Sequence, residues 1–347
     1  MADRRIRIGF AGGGLRGSLF AQLAARHPDV EIVGVHDPST SSARSFVTAR
    51  GGREFGDLEA LLDEALDALV VATPDHLHTA SVLAGARRGI PMLVEKPLAT
   101  STVDAVAMRD AVLSSGADVS VAYLNRWHPA FRSVLAEAEA GTLGRILFQN
   151  ARLSNSVKVP TQALSWASAS SPGWFLMPHT LDIVAKLAPV GPTTVRATGH
   201  RGVLAARGVD TWDGLQALLT FEDGSSASVE SLWVLPEGMP VGVRFGFEVV
   251  GEDGTAVVDD SRQGLEYYRA STTEYPRALV AGYDDIPMGP NTAMVDAFLQ
   301  SLRDGLRRLP GIDEAVWVVQ LIEAIHAAAD SGGAVVVEPV SARTGGR

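Results

Sequence analysis

The chain has 347 residues, enough for two domains, with 40 acidic against 30 basic residues and a formal charge of −10. That balance argues against a nucleic-acid partner, which needs a basic face. Apolar residues make up 46% and charged residues 20%, so global disorder is excluded. The absence of cysteine removes disulfides, thiolate metal sites and cysteine nucleophiles. No apolar run reaches the roughly 18 residues of a membrane span, and the first five residues lead into a strand-like run without a signal core. The expectation is a soluble cytoplasmic protein with no membrane partner.

Residues 6–11 read as a buried strand, 15–26 as a helix, 30–36 as a second strand and 42–50 as a second helix. A strand is expected at 68–72, a helix at 76–88, a strand at 91–95, a helix at 102–115 and a strand at 119–122. Short apolar strands separated by helices imply βαβ crossovers and a parallel sheet covered on both faces. Residues 1–122 are therefore expected to form a doubly wound α/β domain around a parallel sheet. The pattern changes after Tyr123. A helix at 129–140 is followed by strands at 145–154, 194–201, 214–221, 226–235, 244–250, 255–259 and 265–268. Glu222-Asp223-Gly224 and Glu252-Asp253-Gly254 carry the Asp-Gly hairpin signal. Helices at 292–308 and 313–330 and a strand at 334–338 follow, so 123–347 is expected to be an α+β domain with an antiparallel or mixed sheet. Residues 159–172 lack a clear period and read as a long, functional loop.

The first strand runs into Gly12-Gly13-Gly14-Leu15-Arg16-Gly17, in which Gly12, Gly14 and Gly17 satisfy G-x-G-x-x-G. The first glycine permits a tight turn, the second lets backbone approach a pyrophosphate, and the third lets the helix sit close to the sheet. The motif alone fits a flexible turn as well as a dinucleotide loop. A strand before it, a helix after it, and Asp37 about twenty residues on favour the loop. Gly12, Gly14, Leu15, Arg16 and Gly17 are thus cofactor candidates. Asp37 either binds both adenosine-ribose hydroxyls, which favours NAD over NADP, or caps a turn.

At Val70-Val71-Ala72-Thr73-Pro74-Asp75-His76-Leu77-His78 and Val94-Glu95-Lys96-Pro97-Leu98 the chain resembles the glucose–fructose oxidoreductase / inositol dehydrogenase / rhizopine catabolism family, Gfo/Idh/MocA. The similarity continues through Asn125-Arg126-Trp127-His128-Pro129, His179-Thr180-Leu181-Asp182 and Arg303-Asp304-Gly305, nearly the whole chain. The resemblance implies an N-terminal Rossmann domain and a C-terminal domain with a large, open, mostly antiparallel sheet for substrate and oligomer contacts. It implies oxidation of a secondary alcohol on a sugar, inositol or related polyol, or the reverse reduction, with NAD(P). Thr73, Pro74, His78, Glu95 and Lys96 would line the cofactor. Lys96 would also hold the reacting oxygen, unless it is a solvated surface lysine. His78 acts there directly or packs beneath the loop. The scattered histidines give no metal site.

His179, Asp182 and Lys186 share spacing of three and four and project from one helix face. The family segment commonly reads D-x-x-x-H-x-x-D with the histidine as general base. His179 fits that role or is a capping histidine. The leading aspartate is replaced here by Phe175, and Pro178 replaces a small residue. Asp182 is a substrate candidate that orients His179, caps the helix or forms a salt bridge. Trp166, Trp174 and Phe175 form an aromatic wall against a sugar's C–H face, or pack as core. The leading expectation is an NAD-dependent dehydrogenase working as a homodimer or homotetramer, with Lys96 and His179, from different domains, as catalytic residues. A non-catalytic dinucleotide-binding regulator and an NAD-assisted glycoside-modifying enzyme are the alternatives.

Overall fold

The computed structural model describes residues 5–191, 193–261, 267–268, 271–274 and 289–340. Two compact units divide the chain: Met1–Tyr123 with Asn291–Val316, and Leu124–Pro290 with Trp317–Arg347.

The first unit runs β1 (Ile6–Ala11), α1 (Leu15–Ala24), β2 (Val30–His36), α2 (Thr40–Arg50), β3 (Arg53–Phe55), α3 (Leu58–Leu62), β4 (Ala68–Val71), α4 (His78–Arg87), β5 (Met92–Val94), α5 (Thr102–Ser115) and β6 (Val119–Val121). Its six strands are all parallel, in the order β3-β2-β1-β4-β5-β6. The central strands are nearly continuous apolar runs, and Phe10, Val35, Leu69, Val71 and Val94 are fully buried, as a sheet covered on both faces requires. Ser39 and Ser101 cap α2 and α5 by accepting the amides of Ser42 and Asp104. The expected Rossmann sheet is present, with one strand more than expected. β3 is a three-residue edge strand whose Arg53 and Glu54 are exposed, too short and polar to register as a period. Residues 291–316 return to this unit, where Arg303 pairs with Asp29 (2.9 Å) and His27 with Asp296 (2.9 Å). The unit is thus assembled from two stretches of chain where the sequence reading expected one. Strand order reverses between β1 and β4, and ligands of such sheets bind outside the carboxyl ends of the strands at that point.

The second unit holds α6 (Pro129–Glu139), β7 (Ile146–Asn155), α7 (Pro172–Leu187), β8 (Thr193–His200), β9 (Gly214–Thr220), β10 (Ser226–Leu232), β11 (Val243–Gly251), β12 (Thr255–Asp259), and the short pair β13 (Tyr267–Tyr268) and β14 (Thr273–Glu274). Then come α8 (Pro290–Asp304), α9 (Ile312–Ser331) and β15 (Val335–Val337). Seven strands form one sheet, β12-β11-β7-β10-β9-β8-β15, antiparallel throughout except for the parallel pair β7 and β10. α7 packs across β7, β9 and β10, over a face that buries Ala151, Leu153, Leu215, Leu219, Ala227 and Val229. Alternate residues point the other way, and Phe148, Leu218 and Val257 stand exposed there. The loop expected at 159–172 contains a wide turn at Val159–Ala163 and a tight one at Ala167–Ala169 before α7 begins. Of the strand expected at 265–268, residues 265–266 lie outside the described residues. The last long helices match expectation, except that α8 stops at Asp304. Gly305 adopts φ 72° there and its amide closes on Ser301 O.

Candidate active site

In the first unit, the turn after β1 is shaped by three glycines. Gly12 has φ 99°, and a Cβ there would stand 2.6 Å from the Ala72 carbonyl and 2.7 Å from the Thr73 nitrogen. A Cβ on Gly17 would stand 2.0 Å from Gly12 O, so α1 packs against the loop only without a side chain. Gly14 differs from both. It is the N-cap of α1, has no side chain to cap the helix, and nothing lies within 4 Å of where its Cβ would be. The N-terminus of α1 therefore has open space beside Gly14, no side-chain cap and no acidic side chain in its first turn. An open cradle of backbone N–H groups at the positive end of a helix fits a pyrophosphate. Leu15 is 87% exposed beside it, an apolar side chain with no core to enter.

Asp37 follows β2 and faces this loop. Its Oδ2 accepts the Gly13 amide (2.8 Å) and its Oδ1 accepts the Ser39 amide (2.8 Å). Asp37 thus closes a turn, the second of its two sequence readings, and holds a half-buried carboxylate against the glycine loop. Each oxygen keeps a lone pair for a ribose hydroxyl.

Across the switch point, Thr73 and Pro74 follow β4. Thr73 Oγ1 is buried without a hydrogen-bond partner, a polar atom that a bound cofactor would satisfy. His78 lies beneath them, 1% exposed, with Nδ1 2.8 Å from the Pro97 carbonyl and Nε2 3.0 Å from the Thr73 carbonyl. Burial holds this imidazole below its usual pKa, against the pull of Asp75 and the two carbonyls. His78 therefore ties the loop after β4 to the loop that carries Lys96, and does not present its ring to a ligand. Glu95 is likewise buried. It accepts Arg16 Nε (2.5 Å) through Oε1 and the Lys96 amide (3.1 Å) through Oε2. Arg16 also donates to Asn291 Oδ1 (3.1 Å) and lies over the Phe20 ring. Arg16 and Glu95 thus form a strut from the first turn of α1 to Lys96. Desolvation lowers the Lys96 pKa to about 8, against the neighbouring charges of Glu95 and Asp75. An ammonium with that pKa is charged at neutral pH and gives up a proton readily, which suits a group that steadies a developing alkoxide.

In the second unit, α7 starts at Ser171, whose Oγ accepts the Trp174 amide (3.1 Å), with Pro172 at the first helical position. His179 is half-exposed on this helix, and Asn125 Nδ2 donates to its carbonyl (3.0 Å). Asp182 is 1% exposed and is gripped by Arg126: Nε donates to both carboxylate oxygens (3.1 and 2.9 Å) and Nη2 to Oδ1 (2.6 Å). Of the three readings of Asp182, the salt bridge is the one the structure displays, and a buried carboxylate so held is not presented to a substrate.

The aromatic residues sort differently from expectation. Phe175 meets Trp166 at 5.9 Å between ring centroids, but its second neighbour is Trp233, at 5.6 Å. Trp174 instead stacks on His326 at 5.1 Å and 13°. Adjacent helical residues point about 100° apart, so Trp174 and Phe175 cannot share one wall. Trp233 has no local sequence signal that would place it here; it reaches Phe175 because β10, which it follows, packs against α7. Trp233 Nε1, Asn155 Oδ1 and Ser231 Oγ are buried without hydrogen-bond partners. Among the described residues, no group of three or more His, Asp or Glu side chains is placed to hold a metal ion.

Residues 6–123 match the family model described as the Gfo/Idh/MocA oxidoreductase family, NAD-binding Rossmann fold, and residues 131–257 match that of the Gfo/Idh/MocA C-terminal domain. The chain is 31% identical to an inositol 2-dehydrogenase of Acidothermus cellulolyticus over 74% of its own length and 73% of the relative's. Its fold is similar to that of GenD2 from gentamicin A biosynthesis, solved with NAD (TM-score 0.82, 22% identity, covering 96% of this chain and 97% of that one). It is similar also to a levoglucosan dehydrogenase solved with NADH and levoglucosan (TM-score 0.80, 23% identity, 96% and 99%). With both domain models matched in order and a relative of this identity over most of its length, the chain belongs to the Gfo/Idh/MocA oxidoreductase family.

Proposed function

We propose that the protein is an NAD-dependent oxidoreductase that interconverts a secondary alcohol and a ketone on a sugar, inositol or related polyol. The observation that carries this reading is the strut from the glycine cradle through Arg16 and Glu95 to a lysine of pKa about 8. It ties the cation for a reacting oxygen to the place where a dinucleotide's phosphates fit. Gly12, Gly14, Leu15 and Gly17 would hold the pyrophosphate, Asp37 the ribose, and Thr73 and Pro74 the dinucleotide beyond the switch point. NAD supplies a hydride acceptor, or as NADH a donor, for the substrate carbon.

The protein's own residues supply charge and proton transfer. The Lys96 ammonium donates to the substrate oxygen and steadies negative charge on it. His179, whose ordinary pKa lies near neutrality, takes the hydroxyl proton during oxidation and returns it during reduction. Inositol and levoglucosan dehydrogenases among the relatives support a polyol or sugar substrate. The test is a panel of polyols and keto-sugars followed by NADH absorbance. Tight NAD binding with no turnover on any member would favour the regulator, for which Phe175 in the aspartate's place speaks.

The same reading takes the protein as cytoplasmic and as a dimer or tetramer. Supporting the assembly, Phe148, Leu218 and Val257 stand exposed on the face of the seven-stranded sheet opposite α7, and an isologous contact with a second copy is the commonest way to bury such a face. A monomeric mass by light scattering at micromolar concentration would contradict it.

A further inference from the structure

The oxidoreductase reading leaves open which polyol or sugar is used, and the surroundings of His179 narrow it. Phe175 stands one helical turn before His179 on the same face of α7, and both are only partly buried. The Phe175 ring is clamped by two others. Trp166, half-exposed, reaches it from the turn before α7 at an interplanar angle of 59°. Trp233, fully buried just beyond β10, supports it from beneath at 55°. Tilted rings at such distances form favourable aromatic contacts, so Phe175 is held in place from two sides. A molecule that offers a hydroxyl to His179 therefore meets a fixed aromatic surface within one helical turn.

An aromatic face accepts no ordinary hydrogen bond from a hydroxyl. A hydroxyl pressed against it loses its water and gains no partner, whereas a C–H face or a methyl group gains contact. At the sheet beside Trp233, three polar atoms are buried without protein partners: Trp233 Nε1 is a donor, Asn155 Oδ1 an acceptor and Ser231 Oγ either. The Leu235 amide donates to Asn155 O (3.2 Å), which holds Asn155 beside the chain that follows Trp233. The surface is thus apolar across Phe175 and Trp166, with a small polar margin at the sheet.

We infer that the protein selects a sugar ring with a deoxy or O-alkyl position close to the reacting carbinol, and that it discriminates against fully hydroxylated rings. This specificity rests on the oxidoreductase reading, with Phe175 as its determinant and Trp166 and Trp233 as the residues that hold Phe175 in position.

The test compares probes that differ by one group: D-glucose with 6-deoxy-D-glucose and with methyl α-D-glucopyranoside, and myo-inositol with one of its mono-O-methyl ethers. The readout is kcat/KM for NADH formation. At least one deoxy or O-methyl probe should exceed its parent by about 10-fold or more, the usual scale for one apolar group in a fitted pocket. Phe175→Asp should reverse that order while the NAD dissociation constant stays unchanged. Trp166→Ala should shrink the preference without reversing it, and it serves if the first variant fails to fold. A wild type that prefers the parent compounds, or a folded Phe175→Asp that keeps the wild-type order, overturns the inference. If no probe is turned over, the oxidoreductase reading fails separately. The same pairs are then titrated against the NAD-bound protein by tryptophan fluorescence, where equal affinities within each pair overturn the inference and a 10-fold preference for the apolar member upholds it.

Discussion

Ser171 Oγ lies 2.7 Å from His326 Nε2, so an imidazole on α9 holds the N-cap of α7, the helix that carries Phe175 and His179. The other ring nitrogen, Nδ1, is 2.8 Å from the Ile322 carbonyl and carries the proton. Nε2 is then the acceptor, and the Ser171 hydroxyl donates to it. Trp174 stacks on the same ring, and a Cβ on Gly173 would fall 2.5 Å from its Cε1. Three successive features of the first turn of α7 are thus arranged around one side chain.

Burial holds the His326 pKa below its usual value, opposed by the Ile322 carbonyl and Asp330, with Arg201 adding to the lowering. The folded state therefore binds fewer protons than the unfolded state as pH falls through the ordinary histidine range. Stability should decline below about pH 6.5, by at most about 1.4 kcal/mol per pH unit for one such group. His78, lowered for the same reason, acts in the same direction. His326→Gln should flatten this dependence in thermal denaturation between pH 7 and 5. An unchanged slope would show that His326 is not a titrating element. Gly173→Ala should destabilise by about 1–3 kcal/mol through clashes with the imidazole and with Leu215 Cδ1, 2.9 Å away, and His326→Ala should relieve the imidazole's share of that cost.

Asp37 should set cofactor choice. Its carboxylate is fixed by the Gly13 and Ser39 amides, and in the proposed role it would accept ribose hydroxyls and repel a 2′-phosphate. NAD should bind at least about tenfold more tightly than NADP, or 1.4 kcal/mol. Asp37→Ala should bring the two dissociation constants together in titrations. Equal affinities in the wild type would remove this role.

The Lys96 pKa of about 8 gives a signature in the pH profile of turnover. If the ammonium is the form that holds the reacting oxygen, kcat/KM should fall as pH rises through about 8. Lys96→Arg stays charged at every accessible pH, so that limb should disappear even if the rate is lower. Below pH 8, where the wild-type ammonium is charged, Lys96→Met should lose roughly 10²-fold or more in turnover, a larger effect than any on NAD affinity. A profile that is flat through pH 8–9 in the wild type would contradict the assignment.

Much of the first unit was legible because its signals are local. The apolar runs of β1, β2 and β4, the three glycines and Asp37 all lie within short windows, and each window supports the reading of its neighbour. Features made by distant residues were not. Arg126 and Asp182 are 56 residues apart, so nothing in the spacing of His179 and Asp182 revealed that the carboxylate was already held. Arg109 and Asp313 meet across 204 residues, and such pairs draw 291–316 into the first unit without any periodic trace. Trp174 was expected beside Phe175 and Trp233 was not foreseen, for a similar reason. Helical geometry could have excluded Trp174 from the wall, whereas only the packing of β10 under α7 could supply Trp233.

The claim that the protein oxidises a carbinol with His179 as its base is tested most directly by His179→Ala, measured at saturating NAD with a substrate the wild type turns over. NAD binding should be unchanged, because every cofactor residue assigned here belongs to the first unit. NADH formation should fall by roughly 10²–10⁴-fold, the usual size of a general-base contribution. A variant that binds NAD normally and keeps wild-type turnover would show that the proton leaves the substrate by another group.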